Sequence, residues 1–216
     1  MKKILIVLSI FCFLAPTTQA KNKEQKPLAP EGSPLRAIQD LDRMLNSYHL
    51  GATTDEERKY NEELKKKVVN GTFDVAELCR LALDKHWQAR TDGERKSFVD
   101  LMTRLLERKA IFSKEQSLGK KGKGDYYAEY ATSRLMPPNE TRAVVNSFIH
   151  IPKESLKIAI DYKLKKIDGQ WKIFDVVVDD ASLVNNYKYQ FDKIINKDGY
   201  GDLVRRMEAK LKDLEQ

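Results

Sequence analysis

The chain is 216 residues long, sets 39 Lys and Arg against 32 Asp and Glu for a formal net charge of +7, and has two cysteines. One of them, Cys12, lies in a segment built like a secretory signal: Lys2 and Lys3, the apolar stretch Ile4 to Leu14, then Thr18-Gln19-Ala20 as a small-residue cleavage site. Cleavage there leaves about 196 residues, a net charge of +5 and Cys79 alone, which excludes an internal disulfide and leaves an ordinary core as the source of stability.

The predicted division is a signal peptide over 1–20, a flexible lead-in over 21–32 and one domain over 33–216. Ile4 to Leu14 is too short to span a bilayer of about 30 Å, and nothing downstream approaches the roughly 20 apolar residues of a spanning helix, so an exported, soluble product is expected. Cys12 follows the bulky Phe11, where lipoprotein signals carry a small residue. The positive excess is spread over mixed faces, compatible with approach to an anionic membrane or partner. Nucleic acid is a poor fit, because export removes the target and no aromatic-interleaved basic motif occurs. The densest basic run, Lys120-Lys121-Gly122-Lys123-Gly124, is punctuated by glycine and reads as a solvated loop.

Helices fill the first half. Ser33-Pro34 supplies an N-cap and an N1 proline before Leu35, Ile38, Leu41, Leu45 and Tyr48 at helical spacing, with Gly51 as the stop. Thr54 and Glu57 form a capping box for a charged helix through about Val69, stopped by Asn70-Gly71. Phe73 to His86 carries Val75, Leu78, Cys79, Ala82 and Leu83 on one stripe, and a second capping box, Thr91 with Glu94, opens an amphipathic helix to Ile111. After Gly124 the period changes to two, with Tyr126, Ala128 and Tyr130 alternating. Pro137-Pro138-Asn139 is a turn, Arg142 to Ile151 a strand, Leu156 to Leu164 a half-buried strand, and Asp168-Gly169 a hairpin turn returning along Trp171 to Val178. In that last strand Trp171, Ile173, Asp175 and Val177 share one phase and Phe174, Val176 and Val178 the other. Two closing helices, Leu183 to Asn196 and Tyr200 to Leu214, complete an α+β fold with a four-stranded antiparallel sheet against several helices.

Catalytic patterns are sparse. His49, His86 and His150 share no ligand spacing, neither HExxH nor CxxC occurs, and there is no nucleophile elbow, phosphate loop or dinucleotide glycine pattern, so no metal or cofactor is expected. Cys79 reads as a buried thiol. Asp179, Asp180 and Ser182 stand where a helix N-terminus needs acceptors. Asp175 is either buried and hydrogen-bonded or set beside a cavity. An enzyme reading would use Asp175 or Asp161 as general base with Tyr162 as acid.

Trp171, Asp175, Ser182, Leu183, Tyr187 and Phe191 in this order resemble the MlaC, or toluene-tolerance auxiliary, family of periplasmic phospholipid-binding proteins, whose pattern runs approximately W-x-x-x-D-V-x-x-x-G-x-S-L-x-x-x-Y-R-x-x-F. Asp180 stands at the usual glycine and Lys188 at the usual arginine. Phe73, Ala76, Leu81, Ala82, Leu83 and Trp87, followed by Thr91, Glu94, Arg95 and Phe98, resemble a second family segment, and Gly199, Asp202 and Leu203 its closing turn, so that the likeness runs from about Leu35 to Leu211. The resemblance implies an NTF2-like sheet, an apolar cavity between sheet and helices for lipid tails, and a non-catalytic role in outer-membrane lipid asymmetry. The partners it implies are phospholipid, an outer-membrane lipoprotein–porin complex and an inner-membrane ABC transporter with an MCE-domain subunit. Candidate lining residues from the helices are Leu81, Phe98, Met102 and Leu105. From the strands they are Val145, Ile149, Ile158, Ile160, Tyr162, Ile173 and Val177. By themselves these residues read as packed core, and only the resemblance makes some of them cavity wall. A periplasmic adaptor with a solid core is the third alternative beside carrier and enzyme.

Overall fold

The computed structural model describes residues 27–49, 51–109, 127–138, 140–152 and 155–215. The signal segment 1–20, the first part of the lead-in, the basic run 120–124 and the positions Ile111, Tyr126 and Asn139 lie outside them.

Helix α1 (Pro34–Asn46) begins as its cap requires: Ser33 Oγ accepts from the Arg36 amide at 3.2 Å, and Ile38, Leu41 and Leu45 turn inward. The end of the lead-in is anchored to it, with Ala29 N donating to Gln39 at 2.8 Å and Trp171 Nε1 donating to the Gly32 carbonyl at 2.9 Å. Helix α2 (Asp55–Thr72) carries both arms of its capping box; the Glu57 carboxylate accepts from Thr53 N at 2.9 Å and Thr54 N at 3.2 Å, which holds its pKa below the usual range. The helix continues past the predicted stop through Asn70-Gly71 to Thr72. It ends where Phe73 forms a parallel bridge with Ile173 and Asp74 N donates to the Ile173 carbonyl at 2.8 Å, so a strand edge, not a glycine, terminates it. Helix α3 (Val75–Leu83), capped by Asp74, runs into one 3-10 turn, and α4 (Asp92–Lys109) opens on the Thr91–Glu94 box.

The sheet runs β1 (Tyr127–Met136), β2 (Arg142–Ile151), β3 (Leu156–Ile167), β4 (Gln170–Val178) and β5 (Ala181–Ser182) in chain order, every neighbour antiparallel. Asp168 and Gly169 turn β3 into β4 with φ of 49° and 81°, the left-handed pair that a two-residue hairpin needs. There are five strands, not the expected four. Asp179 and Asp180 take φ of 44° and 67°, which folds the chain back so that Ala181 and Ser182 pair with Val178 and Val177. Ser182 then caps α5 (Leu183–Asp198), accepting from Asn185 N at 3.1 Å, and α6 (Tyr200–Glu215) follows the Gly199 break.

Strand β4 corrects a second expectation. Leu164 pairs with Ile173 but Lys163 pairs with Asp175, so Phe174 is an extra residue and the phase inverts there. Ile173 and Val176 therefore share the inner face with Leu164 and Tyr162, whereas Asp175 lies opposite Lys163 and Val177 opposite Asp161, on the outer face. The core is one connected cluster joining the inner sheet face (Ala143, Val145, Ile149, Ile158, Ile160, Tyr162, Leu164, Ile173, Val176) to buried residues of helices α1 to α6.

Buried Glu77 fastens α3 to the sheet. It receives both arms of Arg80 at 2.9 Å, Arg142 of β2 at 2.8 Å and Lys165 of β3 at 3.7 Å, and these cations, Arg80 first, draw its pKa from 4.5 down to about 2. A carboxyl so depressed contributes stability in full above pH 4.5 and loses it as pH falls toward 2. Acid titration of unfolding free energy should show that loss in the wild type, with the slope reduced in Glu77→Gln. The left-handed backbone at Asp180 makes a second prediction. Asp180→Gly should keep or raise stability by up to about 1 kcal/mol, while the β-branched Asp180→Val should lower it by about 1–2 kcal/mol, both read by denaturant unfolding.

Candidate functional site

The inner sheet face and the helices opposite it form an apolar interface. From the sheet, Val145, Ile149, Ile158, Ile160, Tyr162 and Ile173 point into it; Met102 and Leu105 are buried in the same connected cluster, on α4, which packs chiefly against α2, α3 and α6. Phe98 belongs to the same cluster but spends its ring on helices: its centroid stands 5.7 Å from Phe191 and 6.0 Å from Tyr200. Leu81 is half-buried at the cluster margin, and Val177 is turned to the outer face by the bulge, which separates it from the other candidates. The side chains of the interface pack against one another throughout this connected core.

Its polar content is small and local. Ser147 Oγ donates to the Ile160 carbonyl at 3.1 Å, and Tyr162 is buried beside it, its phenol held well above the ordinary value first by burial and then by the negative charge of Asp42. Asp42 projects from α1, receives a hydrogen bond from Tyr130 Oη of β1, and is pushed up to about 7 by burial. Sequence reasoning passed over this residue. The available signal was its spacing, because position 42 falls among Ile38, Leu41 and Leu45 on the apolar stripe of α1, where a carboxylate is out of pattern.

The carboxylates weighed as general bases serve elsewhere. Asp175 is 3% exposed, with Oδ1 accepting from Val184 N at 3.0 Å and Oδ2 from Ser182 Oγ at 2.8 Å and Lys163 Nζ at 2.9 Å, so it organises the start of α5. Asp161 accepts from Asn146 Nδ2 at 2.6 Å on the outer face, while its neighbour Tyr162 points inward. The proposed acid and bases thus stand on opposite sides of the sheet. Among the described residues no group of three or more His, Cys, Asp and Glu could hold a metal; His86 pairs with Asp192 at 2.8 Å and His150 with Glu129 at 2.6 Å. Cys79 is fully buried, its thiol pushed up by burial and by the nearby Asp74.

A groove of about 710 Å³ lies between α4 and α6, lined by Phe98, Leu101, Tyr200 and Val204 but flanked by Lys96, Asp100, Arg104 and Glu208. Open and charged on its flanks, it lacks the dry enclosure that two acyl tails need.

The strand-to-helix motif has a physical basis. Trp171 anchors the lead-in, Asp175 and Ser182 cap α5, and Tyr187 and Phe191 stack at 5.3 Å in the core. Asp180, at the glycine position, holds the left-handed φ that glycine adopts without strain, and Lys188, at the arginine position, meets Asp84 at 3.0 Å on the surface. No curated protein matches the chain. Among solved structures it is similar to a phospholipid-binding protein from Ralstonia solanacearum in complex with a phospholipid, with a TM-score of 0.60 and 22% identity over 83% of this chain and 95% of that one. The family model described as MlaC protein matches residues 39–209, most of the chain and all the elements of this interface, and the chain belongs to that family.

Proposed function

We propose that this protein is a non-catalytic, soluble periplasmic phospholipid carrier that holds acyl tails between the inner sheet face and the helices. On this reading it moves lipid between an outer-membrane lipoprotein–porin complex and an inner-membrane ABC transporter with an MCE-domain subunit. The observation that carries the reading is the inner face itself: aliphatic side chains on three adjacent strands, covered by helices, in a chain of the MlaC family that is similar in fold to a protein described as phospholipid-binding. A diacyl lipid exposes about thirty tail methylenes at about 0.8 kcal/mol each, so crossing water unassisted meets a barrier on the order of 20 kcal/mol. A carrier removes that barrier by covering both tails and adding no charge at the bottom of the site. Since the interface is filled by its own side chains, loading requires the helices to part from the sheet. Tails then replace side-chain contacts of similar polarity, and the solvation cost of opening stays small if lipid enters as the gap forms.

The filled core favours, as the second reading, a periplasmic adaptor that binds no lipid. Native mass spectrometry of protein freshly purified from the periplasm separates the two. The carrier yields a mass increment equal to a diacyl phospholipid; an empty protein, or one carrying only a small polar ligand, would falsify the carrier reading. Asp175→Asn should retain the bound lipid. Asp175→Ala, which strips the partner from Lys163 and two donors at the start of α5, should lower unfolding stability by about 2–4 kcal/mol in denaturant titration.

A further inference from the structure

We infer that Asp42 reads the lipid headgroup, its carboxylate binding the primary ammonium of an aminophospholipid at the seam where α1 meets β1. The inference rests on the carrier reading and adds to it a preference among headgroups.

The geometry is that of an anion prepared for a cation the protein does not supply. Asp42 has one hydrogen bond, from Tyr130 Oη to Oδ2, and Oδ1 has no protein donor among the described residues. No Lys, Arg or His nitrogen of the described residues lies within 4.0 Å of it. The cations of its own helix are taken by another residue: Arg36 Nε pairs with Asp40 at 2.9 Å, and Arg43 pairs with Asp40 as well. Among the described residues, Tyr130 of β1 donates to it and the phenol of Tyr162 of β3 lies nearby, held well above its ordinary value first by burial. A carboxylate in such surroundings is costly when ionised and unpaired, and burial accordingly pushes Asp42 up to about 7. An arriving ammonium would return that cost as attraction.

Depth fits the same ligand. Asp42 and Tyr130 are half-buried, whereas Tyr162 and Ser147 are buried, and Tyr130 lies directly across the ladder from Ser147. A polar track thus leads inward from a solvent-reachable carboxylate and gives way to the aliphatic interface, the order in which a lipid presents headgroup and tails. Ethanolamine can donate N–H to Oδ1. Choline has no N–H and can offer only its charge, and glycerol has no charge to offer.

The test is an exchange experiment on the full mature chain. Protein is incubated with vesicles containing phosphatidylethanolamine, phosphatidylcholine and phosphatidylglycerol in equal amounts and with identical tails, then re-isolated, and bound lipid is quantified by mass spectrometry. Wild type should enrich phosphatidylethanolamine over phosphatidylglycerol about fivefold, the factor expected of one half-buried ion pair. The enrichment should grow as pH is raised from about 6 to 8, because Asp42 with its raised pKa ionises across that interval. Asp42→Asn, isosteric and still able to accept from Tyr130, should bring the ratio near one at every pH while total lipid stays within about twofold of wild type. Asp42→Glu should keep the preference. Glycerophosphoethanolamine in excess tests whether the tail-less headgroup suffices, and no displacement is expected. Equal ratios in wild type and Asp42→Asn, with lipid bound to both, would overturn the headgroup role and leave the carrier reading intact. A wild type that takes up no lipid overturns both. Thermal unfolding of Asp42→Asn within a few degrees of wild type confirms that a lost preference is not lost folding.

Discussion

The extra residue that β4 carries at Phe174 decides which of its side chains reach the core, and most of the molecule is arranged around that decision. Before the bulge Ile173 packs inward against Leu164; after it Val176 packs inward against Tyr162, and Asp175 is turned out to meet the start of α5. An unbulged strand would keep Asp175 in phase with Ile173 and put a carboxylate among aliphatic neighbours, at a cost of several kcal/mol. One inserted residue therefore keeps the inner face apolar and gives α5 its N-terminal acceptor.

Capping boxes, the N1 proline and the Asp168-Gly169 turn are local devices whose partners lie within a few residues, and all are found where the sequence places them. The strand Arg142–Ile151 is legible for the same reason, because alternation is a local property. What escaped depends on distant partners. The end of α2 is set by a bridge from Phe73 to Ile173, a hundred positions on, which no window around Gly71 contains. The bulge at Phe174 leaves no mark in a run of Ile, Phe and Val that reads the same in either phase, and β5 is too short to have a period. Among site residues, the aliphatic candidates were legible as a buried set but not as wall or filling, and Asp42 was hidden among the ordinary charges of α1.

Two carboxylates beside the core, Glu77 and Asp42, answer opposite needs. Glu77 is surrounded by three cations and stays ionised far below neutral pH, a fixed fastening between α3 and two strands. Asp42 accepts from the Tyr130 phenol, has no cation within 4.0 Å among the described residues, and is poised near neutrality. Burial sets the shift of Asp42, whereas at Glu77 the surrounding cations, Arg80 first, outweigh burial. The rigid link thus lies where the helices join β2 and β3, and the adjustable one at the sheet edge, where α1 faces β1.

Cys79 carries a consequence of a different kind. Its sulfur is fully buried and held protonated, so the folded chain offers no thiolate to a thiol oxidase or to a mixed disulfide. In an oxidising compartment the hazard of this thiol is then confined to the interval before the core closes. The speed with which α3 docks becomes the chain's protection against covalent dimers.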